Sequence, residues 1–273
     1  MSTQETTVSI RDLEGKPTGE KLPLPPVFST PLRPDVIGRA VVASQANRRQ
    51  PHGVDPRAGK KTSAASWGTG HAMARVPRVK GSRYPRSAQA AFAPFVVGGR
   101  KTHPPRAEKN YSEKINRKER RLAICSAIAA TANSILVETR GHIVDEVPEL
   151  PLIVMDGFEE ITKTAEASNI LASFGVWPDI EKAKNRRRKI RAGKGSRRGR
   201  RHKGGKSVLV VISRSDAPII RAVRNLPGVD VVSVNLLNTE LLAPGTHPGR
   251  LTLWTESAFR TLDNYSFVIG GKS

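Results

Sequence analysis

The positive charge of this chain is concentrated in two segments, and this distribution limits how much of the chain can form a packed core. Residues 48–109 contain fourteen Lys and Arg against two acids, and residues 182–206 contain fourteen Lys and Arg and no acid. The two segments carry +26, whereas the whole chain of 273 residues carries +22. The remaining 186 residues therefore carry −4, and the pattern predicts a near-neutral globular part that bears two cationic segments.

Residues 48–109, called the insertion from here on, also lack the spacing of apolar side chains that is typical of helices and strands. The insertion contains seven Gly and seven Pro, and its apolar residues are few and aperiodic. Such a segment buries too little apolar surface to offset the entropy lost on ordering. We therefore expect it to be disordered alone and ordered by a partner. Trp67, His71 and Tyr84 can stack on unpaired bases or form small local clusters, and the sequence leaves both alternatives open.

The chain on either side of the insertion has regular patterns. Residues 9–24 indicate a hairpin with its turn at Gly15–Gly19. A short helix is predicted from Pro34, and one long helix is predicted over residues 110–136, capped by Asn110 or Ser112. The insertion is thus expected to lie between two helices.

The second half of the chain alternates apolar runs with helical patterns. Buried strands are predicted within residues 150–156, 207–213, 229–234 and 250–254, with helices between them. Continuous apolar strands alternating with helices favour an α/β fold with a mainly parallel sheet, covered by helices on both faces. The domain prediction is a globular part formed by residues 1–47 and 110–273, with the insertion as a separate irregular loop.

Three carboxylates follow the first of these strands, at a position where α/β folds often place functional sites. They are Asp156, Glu159 and Glu160. A structural explanation is stronger, because Asp156 can cap a helix predicted over residues 159–175 and Glu159 can pair with Lys163 at helical spacing.

No pattern for catalysis, a metal or a cofactor is present in the sequence. The run GRRHKGGKS places Gly199 out of register for a phosphate-binding loop, and it precedes a strand instead of following one. The six histidines are scattered and Cys125 is the single cysteine, so no Cys/His metal spacing exists. We therefore expect no catalytic residue, no metal and no cofactor.

The composition favours a polyanionic partner and a reducing compartment. The isoelectric point is about 10.9, which is typical of proteins that bind nucleic acid or acidic membranes. No stretch has the length and hydropathy of a membrane span, and the N-terminus has no secretory pattern. Cys125, in an apolar run, is expected to be a small core residue. These observations predict a cytoplasmic nucleic-acid-binding protein with no membrane partner.

Several long motifs resemble the archaeal and eukaryotic form of the "L four" family of ribosomal large-subunit proteins, from about Leu32 to Leu262. The motifs are PDVIGRAVVASQANRRQPHGVDPRAGKKTSAASWGTGHAMARVPR, VGGRKTHPP, EKINRKERRLAICSAIAATAN, WPDIEKAKNRRRKIRAGKGSRRGRRHKGGKS, RNLPGVDV and LAPGTHPGRLTLWTESAF. The chain lacks the long C-terminal extension of eukaryotic members, which favours an archaeal protein.

The resemblance implies a structural, non-enzymatic constituent of the large ribosomal subunit, located in cytoplasmic ribosomes. Its α/β domain would lie on the subunit surface, and its loop would thread into large-subunit rRNA and help to line the nascent-peptide exit tunnel. Expected partners are this rRNA, other large-subunit proteins and the nascent peptide. The residues expected to contact RNA are Arg48, Arg49, Arg57, Lys60, Lys61, Trp67, Arg75, Arg78, Lys80, Arg83, Arg86, Arg100, Lys101, Arg186, Arg187, Arg188, Arg191, Lys194, Arg197, Arg198, Arg200, Arg201 and Lys203.

The loop tip is expected midway along the insertion, near Ser63–Pro77. This stretch is nearly uncharged between two cationic limbs, Arg57–Lys61 and Arg75–Lys80. A nearly uncharged tip is suited to a surface that faces a moving peptide. The alternative is that this stretch is a turn packed against RNA. The residues expected to face the tunnel are Trp67, Gly68, Thr69, Gly70, His71 and Met73.

Two other functions remain open from the charge pattern. A structural DNA- or chromatin-binding protein would carry similar basic segments, and preference for folded rRNA over duplex DNA would distinguish the two. A nucleotide-dependent enzyme is the second alternative, and binding of ATP or NAD by the isolated protein would support it.

Overall fold

Six strands form one sheet in the part of the chain that the structure, a computed structural model, describes, residues 7–264. The strands are β1 (Thr7–Arg11), β2 (Pro17–Pro23), β3 (Leu152–Val154), β4 (Leu209–Ile212), β5 (Asp230–Ser233) and β6 (Thr252–Thr255). Their order is β2-β1-β3-β6-β4-β5. The β1–β2 pair is antiparallel and the other four neighbouring pairs are parallel. The predicted mixed α/β fold is confirmed.

The helices occur mostly between these strands. They are α1 (Pro34–Asn47), α2 (Arg117–Thr131), α3 (Ser134–Arg140), α4 (Thr164–Ser173), α5 (Trp177–Arg188), α6 (Lys194–Arg197), α7 (Ile219–Val223), α8 (Thr239–Leu242) and α9 (Glu256–Thr261). Across residues 7–264 no single helix has the length and hydropathy of a membrane span. The helices α2 and α3 have that length and hydropathy only when they are taken together, and the chain bends by 95° between them.

Alternate residues of the central strands supply two separate apolar clusters. In β4, Val210 and Ile212 belong to one cluster, whereas Leu209 and Val211 belong to the other. The first cluster also contains buried side chains of α4, α5 and α7, and the second contains those of α1, α2, α8 and α9. Because successive strand residues point to opposite faces, each face of the sheet has its own core. Cys125 lies in the second cluster, as predicted.

The N-terminal hairpin is present, but its turn was predicted too late. The chain turns at Asp12–Lys16, and Gly19 lies within β2. The Asp12 carboxylate accepts hydrogen bonds from the backbone N–H groups of Glu14 and Lys16, both at 2.9 Å. This side-chain contact and Gly15, which has a φ of +84°, determine the turn, whereas Gly19 lies outside it. The sequence also gave no sign that β1 pairs in parallel with β3.

The prediction of one long helix over residues 110–136 is wrong at both ends. The helix α2 begins at Arg117, and neither Asn110 nor Ser112 caps it; the Asn110 side chain instead accepts from the N–H of Ser112 and closes a local turn. A second helix, α3, begins after Asn133, whose side chain accepts from the N–H of Leu136. An Asn cap thus starts a new helix where continuous apolar spacing predicted one element.

The carboxylates that follow β3 have different partners from those predicted. The helix expected from residue 159 begins at Thr164. The Asp156 carboxylate accepts from the backbone N–H and the hydroxyl of Ser257, in the first turn of α9. Glu159 is buried and does not pair with Lys163, which forms its ion pair with Glu166. Both predicted pairings were local, whereas the observed partners of Asp156 and Glu159 lie on other strands and helices.

Candidate nucleic-acid interface

The chain divides into two compact units, and the second, Ala46–Glu113, contains the insertion. This unit holds no strand or helix between residues 48 and 113, and backbone hydrogen bonds between its limbs organise it. Ala65 and Arg78 exchange two N–H···O bonds of 3.0 Å, and Ala91 donates to the Pro77 carbonyl at 2.9 Å. Ala91 is the one buried apolar side chain of the insertion, every residue of which the structure describes.

Glycines let the limbs of the insertion approach one another closely. A Cβ atom at Gly53 would lie 2.8 Å from the backbone nitrogen of Ala107, and one at Gly59 would lie 2.5 Å from the backbone of Gly99. Gly59 also has a φ of +73°, which L side chains rarely adopt. At these two positions the absent side chain makes room for the protein's own backbone.

The middle of the insertion forms a closed turn between Ser66 and Arg75. The Ser66 hydroxyl donates to the Arg75 carbonyl at 3.2 Å, just beyond the Ala65–Arg78 pair. Trp67 and Met73 lie in this turn and are 42% and 43% exposed. The His71 ring stands edge-on to Trp67 at 5.9 Å between centroids. The residues assigned to the tip from the sequence therefore belong to one exposed, nearly uncharged turn.

Most of the cations predicted to contact RNA in the insertion are exposed, and several of them have partners within the unit. Lys61 forms an ion pair with Asp55 at 2.6 Å, and its hydrogen bond holds the pKa of that carboxyl below the ordinary value. Arg78 donates to the Ala88 carbonyl at 3.0 Å, and Arg100 lies over Phe92 at 6.0 Å. The exposed cations of this predicted set are Arg48, Arg49, Arg57, Lys60, Lys61, Arg75, Lys80, Arg83, Arg86 and Lys101.

A cluster around Tyr111 was not predicted. The Arg49 guanidinium lies 4.4 Å from the Tyr111 ring centroid, Lys109 lies 5.4 Å from it, and His52 stacks on it at 6.4 Å. Aromatic rings, imidazoles and guanidinium planes are the groups on which unpaired bases stack in protein–RNA contacts. The cluster joins residues about sixty positions apart along the chain. The sequence feature that could have indicated it is a basic residue near each end of the insertion, Arg49 and Lys109.

The second basic segment is a closed loop of the first unit, which comprises residues 1–45 and 114–273. It leaves α5 and returns through an antiparallel bridge between Ile190 and His202, where Arg191 donates its backbone N–H to the Arg201 carbonyl at 2.8 Å. All ten cations predicted to contact RNA in this segment are exposed. They are Arg186, Arg187, Arg188, Arg191, Lys194, Arg197, Arg198, Arg200, Arg201 and Lys203.

The electrostatics of this loop favour a polyanion. Arg186, Arg187 and Arg188 occupy the last turn of α5, where the helix dipole stabilises positive charge. Residues 182–206 contain no acid, so groups outside this segment must balance its positive charge. Phosphate groups supply that balance, and the release of their counterions drives binding.

Buried polar groups near this loop do not form a catalytic triad. Ser207 donates to the Asp179 carboxylate at 2.6 Å, and His142 Nδ1 lies 2.9 Å from the same oxygen. The carboxylate therefore lies between the serine and the histidine, whereas nucleophilic catalysis requires the histidine to contact the serine. Burial raises the pKa of Asp179, but the contact with His142 and the hydrogen bonds from Ser207 and the Ile143 N–H together outweigh burial and hold this pKa below the ordinary value.

The other candidate enzyme sites are also occupied by structural contacts. Glu159 accepts from the backbone N–H of Ser213 at 2.7 Å and from the Thr255 hydroxyl at 2.7 Å, and so joins the ends of β4 and β6. The run GRRHKGGKS leads into β4 and is not followed by a helix. Within residues 7–264, no group of three or more His, Cys, Asp or Glu side chains could hold a metal ion.

Comparison with known proteins agrees with the resemblance of the motifs. Residues 22–265 match the Ribosomal protein L4/L1 family. Large ribosomal subunit protein uL4 of Methanopyrus kandleri is 52% identical over 92% of this chain and 96% of its own. The proteins of the same name from Pyrobaculum aerophilum and Methanosphaera stadtmanae are 53% and 51% identical, over 86% and 93% of this chain and 82% and 95% of their own. This chain, with its two cationic segments and mixed α/β sheet, belongs to the Ribosomal protein L4/L1 family.

Proposed function

We propose that this protein is a structural, non-catalytic constituent of the large ribosomal subunit in the cytoplasm and binds large-subunit rRNA through both basic segments. The observation that carries the proposal is the basic segment of residues 182–206, where all fourteen cations are exposed and no acid is present. A surface of this charge density is stable when phosphates neutralise it. The names of the relatives support the ribosome as the source of that RNA.

The two parts of the chain have separate roles in this proposal. The globular part, residues 1–47 and 110–273, binds rRNA through its basic loop and contacts other large-subunit proteins. The insertion, residues 48–109, threads between rRNA segments. Its internal bonds are local turns and a few backbone bonds between limbs, and most of its cations are exposed. Both features suit a segment that contacts RNA along its length.

The turn between Ser66 and Arg75 is the part of the insertion that we assign to the nascent-peptide exit tunnel. It presents Trp67 and Met73 to solvent, and His71 is its one titratable side chain before Arg75. A strongly cationic turn would retard acidic peptides, whereas this turn would allow them to pass. The cationic limbs on either side provide the RNA contacts that hold it.

Preference among nucleic acids tests the rRNA proposal directly. The affinity of the full chain for folded large-subunit rRNA and for duplex DNA of equal length would be measured at several salt concentrations. We expect tighter binding to the rRNA at every concentration, with a steep loss as salt rises. Equal or tighter binding to the duplex would support a DNA- or chromatin-binding protein instead.

A deletion separates the role of the tip from that of the limbs. Removing Trp67–Met73 should permit assembly of the large subunit but change peptide stalling or sensitivity to tunnel-binding inhibitors. Changing Arg57 and Lys60 to Ala should instead reduce assembly, because these exposed cations lie in a limb and outside the turn. The tunnel assignment fails if the deletion blocks assembly as severely as the arginine changes while the surviving ribosomes translate and stall normally.

A further inference from the structure

A cavity of about 400 Å³ lies in the first unit, between the end of α3, the middle of α5, the chain before β4 and the turn after α8. Its volume corresponds to about a dozen water molecules at roughly 30 Å³ each. The ionisable side chains that line it, apart from Asp179, are Arg140, Lys182, Arg186, Lys206, His142 and His247. Four cations and two histidines thus share one enclosure.

The acid in the cavity wall, Asp179, is already bound to other groups. One of its oxygens contacts His142 and the Ser207 hydroxyl, and the other accepts from the backbone N–H of Ile143 at 3.3 Å. Its carboxylate is nearly fully buried. The Asp179 carboxylate therefore offsets one of the four positive charges. Because both of its oxygens already have partners, it is poorly placed to bind a cation in the cavity.

The cations of the cavity are incompletely neutralised by the rest of the protein. Lys206 pairs with Asp230, but the same carboxylate also pairs with Arg250. Within residues 7–264, no carboxylate forms an ion pair with Arg140, Lys182 or Arg186. The enclosure therefore keeps an excess of positive charge.

Arg140 is the residue in the cavity wall that has a buried hydrogen-bond donor without an acceptor. Burial, together with the charge of Arg250, lowers the pKa of Arg140 to about 10, so the guanidinium stays charged at neutral pH. One of its terminal nitrogens donates to the Pro244 carbonyl at 3.2 Å, while its Nε is buried and has no hydrogen-bond partner. A buried N–H without an acceptor is costly, so an anion bound beside it would stabilise the protein.

Glycines leave the rim of the cavity open. Gly204 and Gly205 precede β4, and Gly245 lies in the turn after α8. A Cβ atom at Gly204 would meet nothing within 4 Å, and the backbone there does not have a positive φ. A polyanionic chain can approach this rim without displacing a side chain of these residues.

We propose that this cavity binds one phosphate group, and that the phosphate belongs to an RNA backbone. The RNA as source rests on the proposed function, whereas the phosphate chemistry rests on the cavity itself. Arg140 and Lys182 supply charged donors, Arg186 links the cavity to the exposed basic loop, and His247 lines the rim. The bound phosphate would position the globular part on the RNA, since phosphate contacts fix orientation without reading sequence.

A pair of variants at Gly204 tests the cavity with little risk to folding. Gly204→Asp adds a carboxylate at the rim, and Gly204→Ala adds a methyl group at the same place as the matched control. Inorganic phosphate is the first probe, added to the full-length protein while the histidine ring protons are followed by NMR. His142 and His247 report on the cavity, and the remaining histidines, at 52, 71, 103 and 202, serve as internal controls.

The expected result has two arms. Phosphate should shift the signals of His142 and His247 more than the other four, and Gly204→Asp should weaken this binding roughly tenfold through the added charge. Gly204→Ala should bind like the wild type. With large-subunit rRNA as the second probe, Gly204→Asp should lower affinity and reduce the slope of log affinity against log salt by about one phosphate. Arg140→Gln, which removes the charge of the buried donor, should act in the same direction in both arms.

Other results would overturn the proposal in distinguishable ways. Unmoved His142 and His247 signals, or equal binding by the Gly204→Asp and Gly204→Ala variants, would show that the cavity is not a phosphate site. Phosphate binding in the cavity together with unchanged rRNA affinity in all variants would assign the site to free phosphate and refute the RNA source. Failure of the wild-type protein to bind rRNA would contradict the proposed function, while the phosphate arm would still report on the cavity.

Discussion

Arg250 should be the most stabilising single cation of this protein. Its side chain is fully buried. It donates to the Ser207 carbonyl at 2.8 Å and to the Leu241 carbonyl at 2.9 Å. It also donates to the Asp230 carboxylate at 2.7 Å and to two further carbonyls at 3.3 Å. One guanidinium thus ties together the chain before β4, the helix α8 and the start of β5.

The substitution Arg250→Met should lower the free energy of unfolding by about 3–4 kcal/mol. Two buried carbonyls lose their best donor, at about 1–3 kcal/mol each. Removal of one partner from a buried ion pair costs about 3–5 kcal/mol, but the lower end applies because Asp230 keeps Lys206. Burial of the apolar methionine chain offsets part of the loss. For a chain of this size the change corresponds to a Tm decrease of roughly 6–16 °C.

The assay is unfolding in urea at neutral pH, with Arg260→Met as the matched control. Arg260 is exposed and forms a helical ion pair with Glu256, so its loss should change the free energy of unfolding by less than about 0.5 kcal/mol. A loss below about 1 kcal/mol for Arg250→Met would refute the reasoning. So would an equal loss in the two variants.

Acid provides a further check on the same ion pair. Burial raises the pKa of Asp230, but the charge of Arg250 and the hydrogen bonds from Lys206 and Arg250 outweigh burial and hold this pKa below the ordinary value. A lowered carboxyl pKa contributes stability above the unfolded-state pKa, about 4, and this contribution is lost as pH falls through the folded-state pKa. The stability difference between the wild type and Arg250→Met should therefore narrow below about pH 4.

Three further predictions address the basic loop, the insertion and the core. Changing Arg186, Arg187 and Arg188 together to Ala should weaken rRNA binding by roughly 1 kcal/mol or more and reduce the salt slope by about two to three phosphates, as measured by binding titrations; an unchanged slope would contradict an RNA role for this turn. Deletion of residues 55–100 should leave the first unit folded in thermal unfolding, because it removes little core; a large loss of Tm would contradict this. The substitution Ser126→Ala should lower the free energy of unfolding by about 1–2 kcal/mol in urea, because its hydroxyl joins the Arg33 N–H to the Pro31 carbonyl; no change would show that these bonds are replaced by water.

The sequence predicted the elements whose signals are local. The apolar run around β4 predicted a strand buried on both faces, and β4 does supply a separate cluster to each face. A helix was also predicted between the strands at 229–234 and 250–254, and α8 (Thr239–Leu242) lies there. In both cases a few consecutive residues determine the element, because period and propensity act over short distances.

The errors in the fold came from side chains that compete with a longer pattern. Apolar spacing continued past Asn133, yet its side chain caps a new helix there. The turn of the hairpin contains Gly15, at a φ of +84°, but the Asp12 carboxylate closes it and it ends before Gly19. A single hydrogen bond of about 1 kcal/mol decides such positions, and spacing does not report it.

Contacts between distant residues limited what the sequence could indicate about the site. The charge pattern identified the exposed cations of both basic segments. Each segment lies within one unit, the insertion in the second and residues 182–206 in the first, so each could be recognised from its own run of residues. The Tyr111 cluster and the cavity beside Arg140 depend on residues about sixty and one hundred positions apart. The alternation of apolar and polar residues contains no information on those pairings.

The sedimentation of the protein in a lysate of its own cells tests the central claim most directly. At low salt the protein should sediment entirely with the large ribosomal subunit and with whole ribosomes, and it should be released only at high salt, since counterions weaken its phosphate contacts. A protein that sediments as a free monomer, or with DNA, at low salt would contradict the account.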